Sequence, residues 1–220
     1  KDGKWTETTW DSSNAPQKFF DDWIAAAAPH AKMNAAWYCW HASINGHLVA
    51  NTWRKLGILL HQQIIWTKPA AVFGYSFFPW CHEPAWLGWK HEPAWFGWKQ
   101  GNKPPRDGDY THALTTVWAL DFDGKNRNTN TDHPTAKPVE IFAIPLRKHT
   151  QRGDICLEPF SGSGSQIIAA ERLGRRCFAI EKSPQFVDVA VQRWQKFTGR
   201  KAELEPRAKA NGDIATARDK

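Results

Sequence analysis

The sequence predicts an α/β protein, an open sheet fed by alternating helices and strands, and three observations carry that prediction. Helix-like and strand-like segments alternate through residues 14–67 and again through residues 137–197. From Asp154 a strand-like run reaches an acidic residue, turns through a Gly-x-Gly pair and enters a helix-like run. A second carboxylate, Glu181, closes the next strand-like run 17 positions after Gly164.

The elements follow in order. Asn14 to His30 reads as a helix, because Phe19, Phe20, Trp23, Ile24 and Ala27 recur at helical spacing and Pro29 ends the run. Ala35 to His41 is short, apolar and aromatic, which suits a buried strand. A second helix, about Asn45 to Leu56, stops at Gly57, a residue suited to a left-handed cap. Ile58 to Thr67 reads as a strand stopped by Pro69.

Residues 70–130 break the rhythm. They are rich in Trp, Gly, Pro and Lys, and they hold a tandem duplication at 82–90 and 91–99 whose copies differ only at Leu87 and Phe96. Two copies are too few for a solenoid, so a local duplication inside a loop or hairpin is expected. Neither His-Glu pair has a second His four residues beyond the first, so no metal site is predicted.

After Asn130 the alternation returns. Lys137 to Lys148 is a helix opened by Pro138, and Asp154 to Leu157 is a short strand. A helix from about Gln166 to Leu173 is closed by Gly174. Cys177 to Ile180 is the next strand, and Pro184 to Phe197 an amphipathic helix. The segment from Glu203 to Lys220 has few large apolar residues and is expected to be a mobile tail.

Composition narrows the function classes. At 220 residues the chain can bury one substantial core, and its net charge of +7 fits a polyanionic partner. The four cysteines, Cys39, Cys81, Cys156 and Cys177, are far apart and form no Cys-x-x-Cys pair. A disulfide scaffold is therefore unsupported, and a reducing cytoplasm is the expected location. No apolar run approaches the roughly 18 residues of a membrane span. The chain opens on Lys1 rather than Met, which suggests a fragment, a processed product or a trimmed chain.

The most informative segment is Asp154-Ile-Cys-Leu-Glu158-Pro-Phe160-Ser161-Gly162-Ser163-Gly164-Ser165. Glycine lets the backbone approach a ligand closely, and the helix that follows offers free N–H groups at its start. In open α/β sheets such loops sit at the carboxyl ends of strands, where ligands bind. Glu181 stands close to the roughly 20 residues expected for a carboxylate that holds ribose hydroxyls. The loop lacks the Gly-Lys-Ser/Thr ending of a triphosphate site.

Three segments together resemble one family. They are His133-Pro-Thr135-Ala-Lys137-Pro138, Glu158-Pro-Phe-Ser-Gly-Ser-Gly-Ser165 and Ala179-Ile-Glu181-Lys-Ser183-Pro. In this order they resemble motifs X, I and II of the permuted-order (beta-group) DNA amino-methyltransferases, which modify adenine N6 or cytosine N4 and occur in phages and restriction-modification systems. Tyr38-Cys-Trp-His41, Gln62 to Lys68, His82-Glu-Pro, Gly88-Trp-Lys90 and Thr115 to Trp118 extend the likeness over roughly Phe19 to Ala202.

The resemblance implies a Rossmann-like methyltransferase fold with a doubly wound, mostly parallel sheet and a Trp-rich target-recognition insert. It divides the chain into a catalytic-side part at 1–69, the insert at 70–130, a cofactor-binding part at 131–202 and the tail at 203–220. The implied cofactor is S-adenosylmethionine and the implied partner double-stranded DNA, with a monomer or a homodimer both open. Glu158 and Phe160, Ser161, Gly162, Ser163, Gly164 and Ser165 would border the methionine and adenosine portions. Glu181 would hold the ribose, and Thr135 and Lys137 would reach the amino-acid end. Lys90, Lys99, Lys103 and Arg106, interleaved with Trp86, Trp89, Trp95 and Trp98, would meet DNA, although a core role suits most of these tryptophans.

The chain departs from the family in one large respect. The family's Asp-Pro-Pro-Tyr tetrapeptide, or its Ser or Asn variant, occurs nowhere in the sequence. That motif accepts the hydrogens of the exocyclic amino group and stacks on the flipped base. It is expected just before Lys1, and the catalytic residues are left unassigned. Smaller departures are Glu158, Ser165, Ser183 and Phe186 where the family usually has Asp, Thr, Asp and Tyr. The alternative is a degenerate methyltransferase fold that contacts DNA or a partner without chemistry. Methylation of RNA or protein fits the motif order less well.

Overall fold

The computed structural model describes residues 15–41, 45–67, 93–105, 115–120 and 137–205. Helix α1 (Gln17–Ala27) continues into a short 3-10 turn, Ala28–His30, and is followed by β1 (Trp37–Trp40), α2 (Gly46–Lys55) and β2 (Ile58–Thr67). Strands β3 (Pro93–Lys99) and β4 (Val117–Ala119) come next. Then come α3 (Glu140–His149), β5 (Ile155–Glu158), α4 (Ser165–Leu173), β6 (Arg176–Ala179) and α5 (Pro184–Thr198). Each helix and strand predicted outside residues 70–130 forms within a few residues of its expected bounds. Among the described residues no helix is long and apolar enough to cross a membrane.

One sheet runs in the order β1-β3-β2-β4, and β5 pairs with β6 in a second. The β2–β4 and β5–β6 pairings are parallel, while β3 runs antiparallel to both of its neighbours. The second nonapeptide copy falls on the hairpin side of the loop-or-hairpin expectation: β3 pairs antiparallel with β2, the strand before it, and lies inside the sheet. β4 also comes from the Trp-rich stretch. The first copy, 82–90, lies outside the described residues, as does the tail beyond Glu205.

Both faces of the larger sheet are covered, which makes the fold doubly wound. Along β3, Ala94, Phe96 and Trp98 alternate onto one face, where Ile64, Trp66, Trp118 and Ile141 and Ile144 of α3 meet them. Trp95 points the other way, toward Phe20 and Ile24 of α1 and Val49 and Trp53 of α2. A register shift between Leu60 and Gln62 lets β2 serve both layers. Before it Ile58 and Leu60 face α1 and α2; beyond it Ile64 and Trp66 face α3. A single extra residue in a strand has this effect, because side chains alternate with a period of two.

Helix α3 links the two sheets. Ile141 and Ile144 lie on the larger sheet, whereas Val139, Ala143 and Leu146, spaced at four and three residues, pack on Ile168, Ala169 and Ala170 of α4. Glu140 adds ion pairs to Arg147 and, at 3.1 Å, to Arg172 of α4. At the far end of α3, Tyr38 of β1 is hydrogen-bonded to His149 at 2.9 Å. The carboxyl end of β5 is thus held beside the larger sheet by one rigid helix.

Candidate cofactor site

Residues 159–164 lead from β5 into α4. Gly162 (φ 51°) and Gly164 (φ 77°) both adopt left-handed backbone, which costs a residue with a side chain about 1–2 kcal/mol. Gly164 is required twice over, since a Cβ there would lie 2.8 Å from the Cβ of Ala190 in α5. The turn is fastened to both strands. Ser161 N–H donates to the Ile180 carbonyl at 2.9 Å, and Ile180 N–H to the Glu158 carbonyl at 2.8 Å.

Two carboxylates flank the turn. Glu181 Oε2 accepts from Gly162 N–H at 2.7 Å and Oε1 from Ser183 N–H at 2.8 Å, so its head faces the glycines. Glu158 Oε1 accepts from Phe160 N–H at 2.9 Å. Burial pushes the Glu158 carboxyl above its ordinary value and the Glu181 charge adds to that, against the Phe160 N–H and the nearby Lys137 ammonium. The Glu158 charge also reaches β1. Burial first, and then that charge, pushes the Cys39 thiol up to about 12.

The three serines are not equivalent. Ser163 and Ser165 are buried and turned inward. Ser165 Oγ donates to the Lys137 carbonyl at 2.7 Å. Arg193 of α5 donates to the Ser163 carbonyl at 2.5 Å, to Ser163 Oγ at 2.9 Å and to Ser165 Oγ at 3.2 Å. These two hydroxyls brace the turn. Ser161 Oγ, by contrast, is buried without a hydrogen-bond partner, a state that costs about 1–3 kcal/mol unless something satisfies it. Phe160, 40% exposed, forms an aromatic wall with Phe19 and Trp23 of α1 at ring distances of 6.0 and 5.2 Å. A glycine cradle, an orphaned hydroxyl, two carboxylates and an aromatic wall fit the nucleoside and cationic parts of S-adenosylmethionine.

The structure thus gathers Lys137, Glu158, Phe160 to Ser165 and Glu181 at one end of β5 and β6. Thr135, Lys90 and Arg106 lie outside the described residues. Lys99 and Lys103 are exposed. The carbonyl of Pro105, two residues past Lys103, meets His149 at the opposite end of α3 from Lys137. Sequence reasoning missed Arg193 and Ala190. Their signal was a small residue and an arginine one helical turn apart in an otherwise amphipathic helix. It also missed α1 as the neighbour of Phe160, which no local pattern announces.

Comparison with known proteins points to one family. The sequence model of the N6/N4 DNA methylases matches residues 1–192. The type II methyltransferase M2.MboI of Moraxella bovis is 26% identical over 205 residues, covering 89% of this chain and 71% of that protein. An M1.HpyAVI–SAM complex superposes with a TM-score of 0.68 at 22% identity, over 81% of this chain and 84% of that one. The cytosine-N4-specific PvuII DNA methyltransferase gives 0.63 at 16% identity, over 81% and 71% of the two chains. The structural likenesses establish the Rossmann-like fold of S-adenosylmethionine-dependent methyltransferases.

Proposed function

The chain belongs to the N6/N4 DNA methylases, a family that depends on S-adenosylmethionine, and from that premise we propose that it methylates an exocyclic amino group, adenine N6 or cytosine N4, in duplex DNA. The observation that supports this most directly is the Glu181 carboxylate folded onto the Gly162 turn beside the orphaned Ser161 hydroxyl. When bound, the cofactor supplies an electrophilic methyl group on a sulfonium cation.

Each residue then has a role. Glu181 has remaining lone pairs for ribose hydroxyls, and Ser161 Oγ would gain the partner it lacks. Burial and the neighbouring Glu181 charge raise the cost of ionising Glu158, which a cationic ligand relieves. Lys137 suits the amino-acid carboxylate as a charged donor, with Thr135 beside it, and Phe160 closes the pocket against water. The backbone of Gly162 to Gly164 lines the cradle, with the Gly162 and Gly164 N–H groups held by Glu181 and the Ser161 carbonyl, while the Ser163 and Ser165 hydroxyls fix its shape. Lys90, Lys99, Lys103 and Arg106 would take DNA phosphates.

The base-holding tetrapeptide is not in the sequence, so the decisive test is methyl transfer from labelled cofactor to DNA. It uses the chain alone and the chain extended upstream by its own coding sequence. Transfer by the extended protein, lost in Gly162→Asp together with calorimetric cofactor binding, is the expected result. Cofactor binding unchanged in both Gly162→Asp and Lys137→Ala would move the pocket elsewhere. An extended protein that binds DNA and cofactor without transferring methyl would make the fold a non-catalytic module.

A further inference from the structure

Directly beneath the turn, β5 and β6 place two thiols side by side. Cys156 and Cys177 are register partners in the parallel pair, so their backbones stand about one strand spacing apart, about 4.8 Å. Both are free and only partly buried, unlike Cys39, which is buried. Their side chains lie on the face that packs against Val139, Ala143 and Leu146. Cys156 Sγ donates to the carbonyl of Arg176, the residue before Cys177, at 3.4 Å. The nearness of Cys177 holds the Cys156 thiol below its ordinary value, and the nearness of Cys156 together with burial pushes Cys177 up. Attack by Cys156 first, resolved by Cys177, or the reverse order, gives the same disulfide.

We propose that Cys156 and Cys177 form a redox pair that closes reversibly into a disulfide and thereby weakens cofactor binding at the turn. The second half of this inference rests on the cofactor site described above. The oxidant is a low-molecular-weight disulfide such as oxidised glutathione. The Cys156 thiolate attacks one glutathione sulfur, the glutathione S–S bond breaks, and the departing thiolate takes the proton that Cys156 gave up. Cys177, losing its proton, attacks the Cys156 sulfur of the mixed disulfide and expels the second glutathione as thiol. Two protein thiols are oxidised and one glutathione disulfide is reduced to two thiols.

The geometry makes the bond both possible and labile. A separation of about 4.8 Å lies inside the Cα range that disulfides span. The Cβ atoms of parallel partners stay about as far apart as the strands, however, whereas a relaxed disulfide wants about 3.8 Å. Closure must draw β5 and β6 together, and a strained bond of this kind is easily reduced. The movement is transmitted at once. Glu158 is two residues beyond Cys156, and the turn hangs on both strands through Ser161 to Ile180, Ile180 to Glu158 and Gly162 to Glu181.

The test treats the full chain with oxidised glutathione, alkylates remaining thiols and digests with trypsin, which cuts between the two cysteines at Arg172, Arg175 and Arg176. One cross-linked species joining the Cys156 and Cys177 peptides, two hydrogens lighter than their sum and cleaved by dithiothreitol, is expected. Calorimetry on the oxidised chain should show S-adenosylmethionine binding at least about tenfold weaker, while the double variant Cys156→Ser, Cys177→Ser binds alike before and after oxidant. Stable glutathione adducts without the cross-link overturn the pair. A cross-link with unchanged affinity overturns the switch. No cofactor binding by the reduced chain refutes the site reading instead, and the cross-link then decides the thiol pair alone.

Discussion

The turn after β5 and the strand β3 are each built around a glycine, and the two glycines are required for different reasons. Gly164 has a left-handed backbone and lies at a local turn whose partners are mostly backbone N–H and carbonyl groups. Gly97 is an ordinary strand residue in its dihedrals. A Cβ there, however, would stand 2.0 Å from the Leu59 carbonyl oxygen and 2.7 Å from the Trp53 ring. One glycine answers to the conformation of its own residue, the other to elements far away in the chain. Local requirements leave a pattern in sequence; long-range approach leaves only a glycine among tryptophans.

Substitution separates the two kinds of requirement. Gly97→Ala forces backbone against backbone inside the sheet, where nothing flexible can yield. A loss of about 3 kcal/mol or more in urea denaturation is expected. A loss under about 1 kcal/mol would mean that β3 is not wedged between its neighbours. Gly164→Ala is milder, about 2 kcal/mol, since its cost combines left-handed backbone with the approach of one residue, Ala190, whose Cβ would lie at 2.8 Å and Cα at 3.1 Å. Adding Ala190→Gly should relieve the shorter of these contacts and leave the backbone cost. Full recovery in the double variant would show that the positive φ does not matter there.

The same contrast explains what could be read from the sequence. The carboxylate, the glycine pair and the second carboxylate lie within one strand-turn-helix-strand unit, so their spacing alone placed Glu158, Gly162 and Glu181 together. The element order outside residues 70–130 was equally legible, because apolar periodicity belongs to single elements. β3 was not legible. Its repeat unit, opened by Pro93 and interrupted by Gly97, resembles a turn, and only pairing with β1 and β2 makes it a strand. The bracing of Ser163 and Ser165 by Arg193 was hidden for the same reason, as was the meeting of Cys156 with Cys177.

His149 lets the two regions be compared by titration, since it sits on α3 between them. Its Nδ1 faces the Pro105 carbonyl at 3.3 Å, Nε2 faces Tyr38 Oη at 2.9 Å, and its ring stacks on Phe96 at 5.3 Å. Burial holds its pKa below the ordinary 6.5, against the pull of Pro105 and helped by Lys148. The unfolded chain therefore takes up this proton first, and stability falls as pH drops through the ordinary histidine value. Urea midpoints from about pH 7.5 to about pH 5.5 should decline more steeply in the parent than in His149→Gln. Equal slopes would place the acid sensitivity elsewhere.

The smallest expected effect comes from the duplication. Because the copies are adjacent, deleting residues 91–99 leaves the same chain as deleting 82–90, except that Leu stands where Phe96 stood. Either deletion shortens the connection between β2 and β3 by the same nine residues, a change worth under about 1 kcal/mol in loop entropy. Either leaves one Pro-Ala-Trp-x-Gly-Trp-Lys segment to enter the sheet. The two deletions therefore differ only by the ring of Phe96, which stacks on Tyr38 at 4.7 Å and on His149. That ring should be worth about 1 kcal/mol, read as the difference between the two urea curves. A protein that folds without 82–90 but fails without 91–99 would show that the aromatic stack, not the shared pattern, selects which copy becomes the strand.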